Sequence, residues 1–150
     1  MGSLEAICIS VEKGTTKSPV PTASLQTAHG IVGDAHAGSW HRQVSLLALE
    51  SIDRMRALYP AIEDGAFAEN LITSGIDWRR TVVGDRVRIG EDVLLEVTQI
   101  GKECHQGCII REKTGDCIMP REGIFCSVLT GGVITPGDGV ERLPGAAGED

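Results

Sequence analysis

A chain of 150 residues suits one domain and can bury a core of useful size. Its formal charge is −7, with 14 basic and 21 acidic residues and no Lys/Arg-rich run. That balance argues against general nucleic-acid binding, which needs a basic surface, but leaves room for a small anion in a local basic pocket. No segment approaches ~18 consecutive apolar residues, so no membrane-spanning helix and no membrane partner are expected. Nineteen glycines and an aromatic content of 3% favour many tight turns and short strands over long helices. The N-terminal MGSLEAICISVEKG lacks a basic start followed by an apolar run, so a cytoplasmic location with reduced thiols is expected. Five cysteines, an odd number, cannot all pair within one chain.

Residues 4–11 (LEAICISV) place Ile7, Ile9 and Val11 on one face and predict a strand. The polar, proline-containing stretch that follows predicts a loop carrying Lys13 and Lys17, both expected in solvent unless one of them grips a phosphate. Residues 24–27 predict a short strand. GDAHAGSWHR (33–42) reads as a glycine-rich loop, and the apolar run VSLLAL (44–49) as a buried strand. Residues 50–58 are the best helix: Ile52, Met55 and Leu58 form one apolar stripe, Glu50 and Arg54 stand at i, i+4, and Tyr59-Pro60 stops it. A strand is predicted at 69–74, then a hairpin with arms at 85–89 and 93–99. One helical turn is expected in CIIREKTGDCIMP, then strands at 124–129 and 132–134 around a Gly-Gly turn. VVGDRVRI (82–89) and TPGDGVERL (135–143) echo each other, which suggests similar turns leading into strands rather than a true repeat. The fold class expected is mainly β, a closed or partly closed barrel with one or two short helices. One domain over 1–143 with a flexible tail at 144–150 is expected.

Several residues can carry chemistry. GKECHQGC (101–108) holds Cys104, His105 and Cys108 beside Lys102, with Arg111 a few residues on. Cys104 and Cys108 fit the loose end of zinc-ligand spacing, with Cys117, Cys126 and His105 as candidates to complete the site. Cys117 and Cys126 sit in apolar surroundings, where a cysteine is usually a small buried hydrophobe. No C-x-x-C is present, which weakens a thioredoxin-type reading. A single reactive thiolate is the remaining option, since Lys102, His105 and Arg111 supply nearby positive charge. In GDAHAGSWHR, Asp34, His36, His41 and Arg42 can bind a metal or an anion, or simply satisfy loop backbone groups. Asn70 needs partners for its amide if buried. Arg121 and Glu122 read either as a surface ion pair or as a turn that presents Arg121 to an anion.

Taken in order, GDAHAGSWHRQVSLL, ENLITSG, VGDRVRIG, LLEVTQIGKECHQGC and GDCIMPREGIFCSVLTGGVITPGD resemble a small stand-alone MOSC domain. That domain is found at the C-terminus of molybdenum cofactor sulfurase. The resemblance spans nearly the whole chain, roughly 4–143. It implies a β-rich barrel and a cysteine that binds sulfur or molybdenum. The family cysteine precedes a short apolar pair, so GCII points to Cys108, with Cys104 as its rival and His105 beside it. The family's Gly-Asp-x-His segment matches Gly33, Asp34 and His36, and its Asn matches Asn70 in FAEN. The implied cofactor is the molybdenum cofactor (molybdopterin). Lys17, Arg42 and Arg121 are candidates to neutralise its phosphate, Asn70 to hydrogen-bond the pterin, and Lys102 is a further cofactor-binding candidate. Cys108 would ligate molybdenum or carry persulfide sulfur. The chain shows no pyridoxal-phosphate desulfurase region. The resemblance therefore implies a separate sulfur donor such as a cysteine desulfurase, and a molybdoenzyme or cofactor-biosynthesis protein as acceptor. Any catalysis would be sulfurtransferase-like. The alternative is a structural or regulatory zinc module on Cys104, Cys108 and His105 with one more ligand, or a redox-responsive module in which Cys104 and Cys108 form a reversible disulfide.

Overall fold

Strand β7 (Arg86–Ile89) alternates exposed arginines with buried Val87 and Ile89, the period-two pattern of a wall with one wet face. Strand β5 (Val44–Ala48) instead reads as a continuous apolar run, because both of its faces are covered. Leu46 faces one core with Leu71, and Leu47 faces a second with Ile72. These walls belong to a computed structural model that describes residues 1–101 and 118–145, with the backbone alone at positions 120 and 121.

The remaining elements are β1 (Gly2–Ile9), β2 (Ser18–Val20), β3 (Ala23–Gln26), β4 (Gly30–Ile31), α1 (Leu49–Arg56) and β6 (Leu71–Ser74). Then come β8 (Val93–Ile100), α2 (Met119–Glu122), β9 (Ile124–Thr130), β10 (Gly132–Ile134) and β11 (Gly139–Leu143). Seven strands close on themselves in the order β11, β7, β8, β9, β5, β6, β1, with β1 pairing back to β11. Closure leaves no barrel edge unpaired. β2 hangs outside on β1, and β3, β4 and β10 form a separate small sheet. The barrel is antiparallel except at β5–β6, where a parallel pair needs a crossover, and α1 lies in that connection. The first core fills the barrel; the second lies between its wall and α1, with Ile52, Met55, Ile62, Phe67 and Phe125.

Most predicted strands are present with their ends moved by a residue or two. The first differs more: the strand stops at Ile9, and Val11 is 87% exposed beyond it. The helix ends at Arg56, short of the Tyr59-Pro60 stop, so only Ile52 and Met55 of the predicted stripe are buried and Leu58 is exposed. Glu50 and Arg54 do not pair. Glu50 accepts the Gly75 N–H at 2.8 Å, and Arg54 binds Glu122 through both carboxylate oxygens. Tertiary partners outcompete the weak i, i+4 pair. Residues 132–134 do form a strand, but it pairs with β3, not with β9 across the Gly-Gly turn.

The sequence echo has a structural meaning. Asp85 accepts the Val82 N–H at 3.1 Å, and Asp138 accepts the Thr135 N–H at 2.9 Å. Each Asp caps its own turn, with a positive-φ glycine one residue before it: Gly84 (102°) and Gly137 (101°). The two turns launch β7 and β11, which then pair with each other.

Candidate functional site

Residues 32–43 run without regular structure from β4 to β5 and carry most of the predicted polar site. Asp34 is fully buried and accepts the Ser10 N–H at 3.1 Å, the His36 N–H at 3.1 Å and the Lys17 ammonium at 2.7 Å. Burial alone would raise its carboxyl. The Lys17 hydrogen bond and the two backbone donors outweigh burial and hold it below the usual range.

Lys17 is not in solvent. Its side chain is fully buried, and its three N–H donors meet Ser10 Oγ at 3.0 Å, Asp34 Oδ1 at 2.7 Å and His36 Nδ1 at 2.9 Å. Gly65 makes this path possible. A Cβ there would stand 2.0 Å from the Lys17 carbonyl oxygen, and its φ is +89°. Gly33 is exposed in a turn at φ +91°, and a Cβ added there would meet nothing within 4 Å, so its role is conformational.

His36, Trp40, Arg42, Ser45, Ala68, Asn70, Met119 and Phe125 line one cavity of about 90 Å³. Arg42 crosses it between two aromatic rings, its guanidinium carbon 4.7 Å from the Trp40 centroid and 5.6 Å from that of Phe125. Among the described residues its buried Nε has no hydrogen-bond partner, which leaves an orphaned cationic donor. Lys13 Nζ lies 5.5 Å from the Trp40 centroid, so Trp40 carries two cations. The Trp40 indole donates to the His36 carbonyl oxygen at 2.7 Å, which fixes the loop's own shape. Thr98, at an irregularity in the β8–β9 register, reaches the His41 carbonyl oxygen and ties the loop to the barrel.

Asn70 precedes β6 and is 1% exposed. Its Oδ1 accepts the Ser45 N–H at 3.0 Å, and its Nδ2 donates to the Cys8 carbonyl oxygen at 3.0 Å. The neighbouring Ala68 has φ +63°, a left-handed conformation unusual for alanine, and it lines the cavity. Glu69 is fully buried and, among the described residues, forms no salt bridge. It accepts the Gly65 N–H at 3.0 Å and the Phe67 N–H at 2.9 Å, and burial pushes its carboxyl up to about 7.

The structure therefore brings together Lys17, Asp34, His36, Arg42 and Asn70. Arg121 is on α2, next to Met119 of the cavity wall. Lys102, Cys104, His105 and Cys108 lie outside the described residues, as do Cys117 and the end of the predicted tail. Cys126 is fully buried in the barrel core, out of reach of a zinc site at the surface. Sequence reasoning missed Ser10, Trp40, Ser45, Glu69 and Phe125. A larger groove, about 800 Å³, passes over Arg54, Trp78, Arg79 and Ile100. Its arginines pair with carboxylates of the same groove, Arg54 with Glu122 and Arg79 with Asp77.

Residues 33–141 match the family model described as MOSC domain. The chain belongs to the MOSC domain family. A protein named "Reductase" from Gibberella moniliformis (strain M3125 / FGSC 7600) is 35% identical to this MOSC domain over 111 residues. That stretch is 63% of this chain and 20% of the relative, so the chain spans about a fifth of that protein. The YuaD protein from Bacillus subtilis superposes with a TM-score of 0.80 at 20% identity, over 95% of this chain and 96% of that one. YiiM from Geobacillus stearothermophilus gives a TM-score of 0.69 at 19% identity, over 95% and 75%. At these identities the two structures establish a shared fold. The family is linked to molybdenum-cofactor sulfurase-like function. Among the described residues, no helix is long and apolar enough to cross a membrane.

Proposed function

We propose that this MOSC domain binds the molybdenum cofactor at the Arg42 cavity and uses Cys108 toward its sulfur or its metal. The observation that carries this is Arg42: a buried guanidinium Nε with no partner among the described residues, in a cavity lined by His36, Ser45 and Asn70. An orphaned cationic donor is costly unless an acceptor arrives, and a phosphate oxygen is a strong one. The polar lining from His36, Ser45 and Asn70 around Arg42 suits an anionic oxygen of phosphate type. The residues would thus hold the phosphate end of the cofactor.

In this reading Arg42 binds the phosphate, held rigid between Trp40 and Phe125. Asn70 plays a smaller part than a direct pterin contact, because its amide already binds Ser45 and Cys8. It shapes the wall. Lys17 acts from behind the wall, since all three of its donors are committed. When bound, the cofactor supplies a thiophilic metal centre. Cys108 supplies the soft thiolate, as a metal ligand or as carrier of one sulfane sulfur taken from a donor persulfide. In the carrier role the donor's S–S bond breaks as that of Cys108 forms, and the donor leaves as a thiolate. Cys104 is the second candidate thiol. A separate sulfur donor and a molybdoenzyme or biosynthetic acceptor complete the scheme.

One observation favours a second use of the same site. The relative of 35% identity is named a reductase, which supports the cofactor as a working redox centre rather than cargo.

Incubation with free molybdenum cofactor and gel filtration tests the reading, with molybdenum, zinc and pterin quantified in the protein peak. Equal molybdenum and pterin in wild type, with both reduced in Arg42→Ala and molybdenum lost in Cys108→Ala and Cys104→Ala together, is expected. Zinc without pterin would replace this reading with a Cys-His metal module.

A further inference from the structure

Residues 11–16 form an exposed turn whose two ends are fastened behind the Arg42 cavity. Asp34 accepts the Ser10 N–H at 3.1 Å and the Lys17 ammonium at 2.7 Å, and the Ser10 carbonyl oxygen accepts the Ala35 N–H at 2.8 Å. Within the turn, the Glu12 carbonyl oxygen accepts the Ser10 hydroxyl at 3.0 Å and the Thr15 hydroxyl at 2.9 Å, and Gly14 takes φ +76°. Lys13 stands at the tip, its ammonium 5.5 Å from the Trp40 centroid. Arg42 lies on the same indole, its guanidinium carbon at 4.7 Å. Trp40 lines the cavity, so Lys13 reaches the cavity's edge without being part of its wall. The two cations stand within about one Debye length of each other, ~10 Å at 0.1 M salt. Like charges this close repel, and an anion beside them is attracted to both. Among the described residues neither forms a salt bridge, although the chain holds 21 acidic residues against 14 basic ones.

We propose that Lys13 is the second cation of the Arg42 site, a specificity residue that selects a doubly charged oxyanion of the phosphate-monoester class over a singly charged one. The braced turn holds a mobile lysine stem against Trp40, so its point charge is in place before the ligand arrives. Arg42 supplies directed donors and Lys13 supplies charge, and only a dianion gains fully from both. The proposal rests on the reading of this cavity as the cofactor's phosphate site. It adds which charge state the site selects and the residue that selects it.

Tryptophan fluorescence tests this in a Trp78→Phe background, which leaves Trp40 as the one tryptophan of the chain. The probes are inorganic phosphate, mostly a dianion at about pH 8, and dimethyl phosphate, a monoanion, each titrated at constant ionic strength. Lys13→Met keeps an apolar stem on Trp40 and removes the charge, and Lys13 is exposed, so the fold should be kept. Phosphate affinity should fall about three- to fivefold in Lys13→Met, with a smaller loss for dimethyl phosphate. Lys13→Arg should restore the phosphate affinity, which a packing role for the stem would not require. Equal phosphate affinity in wild type and Lys13→Met, a Lys13→Arg variant as weak as Lys13→Met, or the same fold-loss for both anions overturns the proposal. So does a wild type that binds no phosphate. Phosphate binding that depends on Lys13 without cofactor retention would sink the cofactor reading and leave this one standing. Cofactor retention with phosphate affinity indifferent to Lys13 would do the reverse.

Discussion

Asn70 and Ser45 hold each other reciprocally: Asn70 Oδ1 accepts the Ser45 N–H at 3.0 Å, and Ser45 Oγ accepts the Asn70 N–H at 3.0 Å. The same Asn70 reaches the other way to Cys8, so it joins β5, β6 and β1 at the cavity floor. Asn70→Ala should strip the Ser45 N–H and the Cys8 carbonyl of their Asn70 side-chain partner. At ~1–3 kcal/mol for each of the two buried groups left unpaired, a loss of about 2–6 kcal/mol in urea unfolding is expected. Asn70→Asp keeps the acceptor and places a negative charge beside Arg42. It should cost less stability but more phosphate affinity, and the two measurements together separate wall-building from ligand contact.

Two glycines near the site should behave differently. At Gly65 a side chain meets the Lys17 backbone head-on, while at Gly33 it meets nothing. Both have positive φ, so alanine carries the left-handed penalty of ~1–2 kcal/mol at each. Gly65→Ala must also push Lys17 out of its network, and a melting temperature well below that of Gly33→Ala is expected. Equal melting temperatures would mean that the Lys17 segment gives way freely.

Much of the barrel was legible because alternation reports a wall with one wet face, as at Arg86–Ile89. Barrel closure was not, since no local pattern reveals that β1 pairs with β11. The helix was placed but overextended, because its stripe continues in sequence to Leu58 after the backbone has left the helix. Within the site, Asp34, His36, Arg42 and Asn70 were legible as polar residues in a glycine-rich or strand-edge setting. Lys17 was misplaced in solvent because its loop is polar throughout, and its burial depends on Asp34, seventeen residues away. Trp40 sat inside the right segment, but its function depends on Arg42 and Lys13 lying on its ring, which spacing alone does not show.

Glu69 gives the fold a pH dependence near neutrality. Burial, with Asp64 adding to it, lifts the carboxyl from 4.5 to about 7, although the backbone N–H groups of Glu69, Gly65 and Phe67 oppose the rise. Lys17 and Cys8 are the other titratable groups in this neighbourhood. Between these two values the folded chain holds a proton that the unfolded chain has released. Stability should therefore be fullest below about pH 4.5 as far as Glu69 is concerned, fall as pH rises, and level off above about pH 7. The span corresponds to at most about 3 kcal/mol. Glu69→Gln should flatten the slope of unfolding free energy against pH in that window. A variant with the wild-type slope would assign the dependence to another group.

Two of the five cysteines are buried in the barrel, and that bears on the proposed thiol chemistry. Cys8 and Cys126 are both fully buried. Burial pushes the Cys8 thiol up to about 12, with Glu69 and Asp64 adding to the rise, and pushes Cys126 up as well, with Glu96 adding. Neither can offer a thiolate at neutral pH. Ellman titration should count five thiols in denaturant and no more than three in the native protein, with Cys8 and Cys126 the protected pair. The fast-reacting group should then lie among Cys104, Cys108 and Cys117, and Cys108→Ala should remove it if Cys108 is the sulfur-handling residue. Should Cys8 or Cys126 label at the fast rate, the barrel would be opening on the labelling timescale. Reactive thiols could not then be assigned from burial, and persulfide trapping at each cysteine would have to decide which one carries sulfur.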